Sequence, residues 1–297
     1  MTERTASPKT IQIFLPDGDP RGLRVAEITT RIVRVVEVPR DRLDQFLLLP
    51  EAVQVALYFL FGNDPEGASD QLYIGQTGGC GVRLSQHKDK VFWDRALVVV
   101  SLTNSLTQTH ASFLEWLAIK EAKDIGRYAV QNGNSGSKPH TPAPLTADCL
   151  EIFETAGILL ATLGYPAFEP ILKHPVHHKS SNELFCEASG AKGRGVYTDE
   201  GFVVLKGSTG RAESVPSIKG TSDGKFRQRL IEQGVMRVEG DRVVFDKDHL
   251  FRSPSTAAVA LTGRTANGWI EWKNGGGETL RALRQPTTDR VGDIEAH

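Results

Sequence analysis

The chain has 297 residues, with 35 Lys and Arg against 36 Asp and Glu, a formal net charge of −1 and an apolar share of 39%. That length leaves room for about two domains, each with its own core. The near-neutral balance does not point to a chain that holds nucleic acid by overall charge. No apolar run reaches the roughly 20 residues of a membrane span. Cys80, Cys149 and Cys186 lie far apart and match no disulfide or metal-ligand spacing. The opening MTERTASPKT lacks the apolar stretch of a secretory leader, so a cytoplasmic setting with free thiols and no membrane partner is the expectation.

In chain order, TIQIFLP and LRVAEIT read as strands about the turn DGDPRG, and RIVRVVEV alternates as a third strand. RDRLDQFLLL is a short amphipathic helix stopped by Pro50. Two apolar strands follow, VALYFLFG and QLYIGQT, joined by the turn-forming NDPEGASD. After Gly78, Gly79 and Gly81, VRLSQHKD suits a helix, and ALVVVSL is a buried, β-branched strand. TQTHASFLEWLAIKEAKDIG has the clearest helical spacing in the chain, with Gly126 at its end.

QNGNSGSKPHTPAP has linker composition, TADCLEIFETAGILLATLG is a helix ending at Gly164, and residues 165–182 are rich in Pro and His. Farther on, GVYTDEGFVVLKGS reads as a hairpin, KFRQRLIEQG as a helix, DRVVFDKD as a strand, SPSTAAVALTG as a capped helix and NGWIEWK as a last strand. The expected architecture is α+β (mixed α/β). A β-rich segment spans 1–50, a small sheet flanked by helices 51–134, and a linker and helix 135–182. A separate small α+β domain follows at 183–285, then a polar tail at 286–297.

On the strong helix, Glu115 shares a face with Ala111, Ser112, Ala118, Ile119 and Ala122, whereas Lys120, Glu121 and Lys123 mark a solvent side. A carboxylate on a small-residue, partly apolar face needs an ion pair, a hydrogen bond or a metal. Arg83 and His87 sit one helical turn apart, a spacing equally at home on a solvated surface. Tyr58 and Tyr73 each lie in an apolar strand, where a tyrosine is commonly a core ring whose hydroxyl finds a partner. The three glycines lack a following Lys-Ser/Thr, so they are not a phosphate-binding P-loop and read as a bend into the helix. His174, His177 and His178 in KHPVHHK have no carboxylate or cysteine at ligand spacing and read as surface residues.

Taken together, the order of these residues resembles the GIY-YIG endonuclease family over about residues 54–134. The first motif stands as Ala56-Leu57-Tyr58 and the second as Tyr73-Ile74-Gly75, followed by RLSQH and FLEWL. The resemblance implies a metal-dependent nuclease acting on nucleic acid, with DNA the expected substrate. Glu115 would hold one Mg²⁺ or Mn²⁺, Arg83 would steady the scissile phosphate, Tyr58 or Tyr73 would relay the proton of the attacking water, and His87 would assist. Asn132, or the nearby Asn134, would match the family's asparagine. Ala56 replaces the first glycine, the loop between the motifs is longer than usual, and Gln76 stands where some members carry lysine.

The C-terminal segment looks like an uncharacterised small α+β domain that often accompanies GIY-YIG domains, and it also resembles the methylase-associated domain of restriction systems. Residues 192–252 carry twelve Lys and Arg against nine Asp and Glu, which a mixed solvated surface also explains. On a regular terminal strand, Trp269 and Trp272 would face opposite sides, one in the core and the other free to stack on a base beside Arg264 and Lys273. Two other readings stay open. One is a nucleic-acid-binding module that keeps the fold without cutting, and the other is a protein-interaction module in which the Glu115 face simply packs.

Overall fold

The computed structural model describes residues 7–63, 70–88, 92–133, 136–172 and 182–285. Its contacts divide the chain into one compact unit through Pro170 and a second from Ile171 onward. Both mix helix and strand, as the α+β expectation requires. His174, His177, His178 and the polar tail lie outside the described residues.

The first unit contains β1 (Ile11–Phe14), β2 (Arg24–Ile28), β3 (Val33–Pro39), α1 (Leu43–Phe46), β4 (Ala56–Gly62) and β5 (Gln71–Thr77). They are followed by α2 (Cys80–Gln86), β6 (Arg95–Ser101), α3 (Gln108–Ile125), β7 (Ala129–Val130) and α4 (Ala143–Thr162). The strands form one sheet in the order β1-β2-β3-β6-β4-β5-β7. Every pairing is antiparallel except that of β5 with β7. The three N-terminal strands are thus joined, through β3 and β6, to the sheet that carries both tyrosines.

The sheet is covered on both faces, which is why β4 reads as an unbroken apolar run rather than an alternating one. Leu57, Phe59 and Phe61 point into one core with Leu97, Val99, Phe113, Leu114 and Leu159. Ala56, Tyr58 and Leu60 point into the other with Val36, Val98, Phe46, Leu84 and Trp93. Side chains of period two therefore send Tyr58 and Tyr73 to the face carrying α1 and α2. Helix α3 starts at a reciprocal cap between Thr107 and His110 and ends at Gly126, whose φ of 71° is the left-handed stop expected of that glycine.

The second unit contains β8 (Glu183–Cys186), β9 (Gly193–Thr198), β10 (Gly201–Val204), β11 (Thr209–Arg211), α5 (Ser222–Glu232) and β12 (Met236–Glu239). The remaining elements are β13 (Arg242–Phe245), β14 (His249–Phe251), α6 (Pro254–Thr262), α7 (Gly268–Glu271) and α8 (Leu280–Arg284). A four-stranded sheet runs β14-β10-β9-β8 and a three-stranded one β11-β13-β12. The expected hairpin is β9 and β10. Ser253 caps α6 with Pro254 in its first turn and Gly263 at its end, as read from SPSTAAVALTG.

The expected terminal strand in NGWIEWK is corrected: residues 268–271 form one helical turn. The Asn267 side chain accepts from the Trp269 N–H and starts that turn. Gly268 permits it, because a Cβ there would stand 2.0 Å from the Pro254 carbonyl oxygen. The turn delivers Trp272 to the core, tilted against Phe202 at 4.3 Å between centroids, with Nε1 donating to the Pro254 carbonyl at 3.0 Å. Truncating a fully buried tryptophan removes both its packing and this bond. Trp272→Ala is expected to destabilise the second unit by about 3–5 kcal/mol, read as a lowered denaturation midpoint; an unchanged midpoint would contradict this account of the core.

Candidate active site

Tyr58 sits on β4 opposite Gly75 of β5 and Val98 of β6. Its ring is fully buried, and a Cβ on Gly75 would fall 2.3 Å from its hydroxyl oxygen and 2.4 Å from Cζ. The glycine of Tyr-Ile-Gly is therefore the floor on which the Tyr58 phenol lies. Burial deprives that hydroxyl of water, so it must find partners inside the protein.

Helix α2 supplies two of them. Its N-terminal approach is shaped by Thr77, whose hydroxyl exchanges hydrogen bonds with the Gly79 main chain. At the far end, Arg83 Nε donates to the Tyr58 hydroxyl at 3.3 Å, and His87 Nε2 lies 2.9 Å from the same oxygen. His87 is itself buried, and its carbonyl accepts from Trp93 Nε1 at 2.9 Å, which seats the end of the helix. Tyr73 completes the cluster. Its ring lies 6.3 Å from that of Tyr58 and 5.4 Å from that of His87, and its hydroxyl interacts with both Tyr58 and Arg83. Unlike Tyr58, Tyr73 is only half-buried.

The electrostatics follow from burial. Desolvation pushes the Tyr58 phenol well above its ordinary value, outweighing the opposing help of Arg83. The hydrogen bond to Tyr58 reinforces the charge on Arg83. Tyr58 is thus a neutral phenol at neutral pH. With Arg83 donating to its oxygen, its own hydrogen can pass to His87 Nε2.

Glu115 approaches from α3, flanked by the buried Ala111, Ala118, Ile119 and Ala122 that its helix face predicts. It is half-buried. Desolvation raises its carboxyl above the ordinary value, opposed by a hydrogen bond from the Gln76 main chain and by the charge of Arg83. It therefore lies within the field of the cluster's guanidinium. The Gln76 side chain accepts a hydrogen bond from Gln108 of α3 and is held by that helix.

Asn132 is placed elsewhere. Its Oδ1 accepts from the Ile74 N–H at 2.9 Å and its Nδ2 donates to the Ile74 carbonyl at 2.7 Å. It continues the pairing of β5 beyond β7, next to Tyr73, and its amide is committed to main chain rather than to the tyrosines. Asn134 lies outside the described residues. The structure thus gathers Tyr58, Tyr73, Arg83 and His87 into one bonded cluster, brings Glu115 within its field, and uses Asn132 to brace the strand. Gly75 is the one contributor whose part is packing alone; its signal was the second motif itself.

One family model matches the chain: the Domain of unknown function (DUF4357), over residues 184–284, about a third of the sequence. No curated protein matches, and no solved structure does. The matched region lies within the second unit, so the likeness of the first unit to the GIY-YIG family rests on its own residues and their arrangement.

Two tests follow from this geometry. Gly75→Ala overpacks the Tyr58 ring and is expected to cost about 1–3 kcal/mol, measurable by urea denaturation; a neutral effect would contradict the close contact. Glu115 has its folded-state value raised, so its ionised form opposes folding, and that cost grows as pH rises through the titration of the carboxyl. Without metal, Glu115→Gln should therefore raise the Tm at pH 7, with the gain shrinking as pH is lowered. A loss of Tm at pH 7 would mean that Glu115 is a stabilising ion-pair member instead.

Proposed function

We propose that the first unit is a metal-dependent nuclease of GIY-YIG type, hydrolysing phosphodiester bonds in nucleic acid, with DNA the expected substrate. The observation that carries this reading is the joining of both motif tyrosines, Arg83 and His87 around one buried hydroxyl, with Glu115 beside them. A bare protein–protein surface has no need of such a set. Five residues that the sequence spreads over 58 positions serve one chemistry, and each has a role that its surroundings suit.

Glu115 suits a hard divalent ion. It offers one carboxylate, and among the described residues no group of three or more His, Cys, Asp or Glu could cage a metal. That donor set fits Mg²⁺ or Mn²⁺, which keep several waters, rather than an ion held wholly by protein side chains. Held by the Glu115 carboxylate, such a cation would offset phosphate charge and acidify a water.

The remaining work belongs to the side chains. Arg83 is half-exposed and set by Tyr58, so its planar fork is oriented before substrate arrives. It neutralises charge that grows on the phosphate oxygens as the water adds. Tyr73, at the solvent boundary, accepts the hydrogen of the attacking water. As it does so, its own proton moves to Tyr58, and that of Tyr58 to His87 Nε2, while the P–O bond to the leaving oxygen breaks and that oxygen takes a proton from solvent water. A phenol whose value is raised is a poor resting base, but it can pass a proton on, and the His87 imidazole nitrogen 2.9 Å away is the acceptor at the end of the chain. The second unit would help hold the substrate.

The test is strand cleavage with Mg²⁺ or Mn²⁺, monitored on DNA and RNA panels. Arg83→Ala and Glu115→Gln are each expected to lower the rate by about 10²–10³, and Tyr73→Phe or His87→Ala by about 10²–10⁴. Wild-type activity in all four variants would defeat the assignment.

A further inference from the structure

The second unit has a surface that the cleavage chemistry leaves unused. The rings of Tyr197 on β9 and Trp269 on α7 lie 5.6 Å apart and are both half-exposed. The Arg284 guanidinium, on α8, stands 4.6 Å from the Tyr197 centroid. Ile270 and Leu283 are 46% and 43% exposed on the same pair of short helices, which pack together. An aromatic pair open to water, with apolar neighbours, is not needed to close the core, because Trp272 already does so from within.

The acids of the α7–α8 segment are engaged by neighbours, while Asp199 and Glu200 lie exposed just beyond Tyr197. Glu271, the acid nearest Trp269 in the chain, is neutralised by Arg264 at 2.7 Å, and Glu278 is held by the Asn274 amide at 2.8 Å. Arg264 also donates to Ser189, so the arginine expected from the sequence to flank the tryptophan is already committed. The exposed cations left nearby in the chain are Lys273, which the sequence already sets beside Trp269, and Arg281 and Arg284 of α8, which it does not. Among the described residues, neither Lys273 nor Arg281 has an ion-pair partner.

We propose that this face of the second unit binds single-stranded nucleic acid, with Trp269 and Tyr197 stacking on bases and Lys273, Arg281 and Arg284 taking the backbone phosphates. Aromatic rings beside exposed cations match the two faces of an unpaired nucleotide, a flat apolar base and a charged backbone. In a duplex the base faces are covered by their neighbours, so the aromatic pair selects the single strand. An arginine already lying over a tyrosine ring can keep that contact while it meets a phosphate. The inference rests on the second unit alone and holds whether or not the first unit cuts.

The test uses the full chain carrying Glu115→Gln, in the presence of a chelator, so that binding is read without turnover. Fluorescence anisotropy is followed with a labelled 15-nucleotide single strand and with the same sequence as a duplex. The single strand is expected to bind about tenfold tighter or better. Trp269→Ala should lose about tenfold of that affinity, and Trp269→Phe should keep most of it, with near-ultraviolet circular dichroism verifying that each variant is folded. Arg281→Ala should weaken binding and reduce the slope of log K against log salt by about 0.7. Equal binding of single strand and duplex, or a folded Trp269→Ala protein that binds like its parent, overturns the proposal. Adding Arg83→Ala separates the two sites: single-strand affinity that depends on Arg83 but not on Trp269 belongs to the first unit and also overturns it.

Discussion

The first unit is organised around one hydroxyl that water cannot reach. Tyr58 is fixed by the pairing of β4 with β5 and β6 and lies flat over Gly75, with no room to turn away. An unpartnered buried hydroxyl would cost about 1–3 kcal/mol. That cost is avoided only if α2 presents Arg83 and His87 at the right height. The length of α2, the seat that Trp93 gives its last turn and the bend before it all serve that requirement. What looks like an active-site constellation is therefore also a folding constraint: the sheet, the helix and the cluster determine one another.

The same arrangement accounts for the division of labour between two chemically identical tyrosines. Their strands are neighbours, yet one phenol is sealed and the other reaches the boundary. Burial makes Tyr58 an anchor; in the proposed mechanism it also makes it a conduit, and leaves Tyr73, at the boundary, as the one to meet a water. Glu115 represents the opposite choice. It is a carboxylate left half-desolvated beside small residues, stabilised only in part by a main-chain N–H and a neighbouring cation. A group kept at a cost to stability is a common mark of a functional position.

Much of this was legible in the sequence, for identifiable reasons. β4, β5 and α3 are long elements with strong patterns, and the family-like order of Tyr58, Tyr73, Arg83, His87 and Glu115 anticipated the residues that come together. The bond between Tyr58 and His87 was not legible, because 29 residues separate them and only the register of three strands brings them close. The part played by Asn132 was hidden for a related reason: its amide substitutes for strand pairing where β7 ends, which no local pattern records. In the second unit, β8, β11, β12 and β14 are three or four residues long, too short for a periodicity to declare itself. At 268–271 the β-forming Trp and Ile were overruled by the Asn267 cap and by the close approach of Gly268 to Pro254.

The central claim is that Glu115 and Arg83 address the same phosphodiester. It is tested most directly by a crystal structure of the protein with Mn²⁺ and a phosphorothioate oligonucleotide that resists cleavage, using anomalous scattering to locate the metal. The account predicts an anomalous peak at the Glu115 carboxylate, with a phosphate of the oligonucleotide shared between that ion and the Arg83 guanidinium, and with Tyr73 facing the water in line for attack. A metal bound elsewhere in the first unit, or an oligonucleotide whose phosphates avoid Arg83, would contradict it.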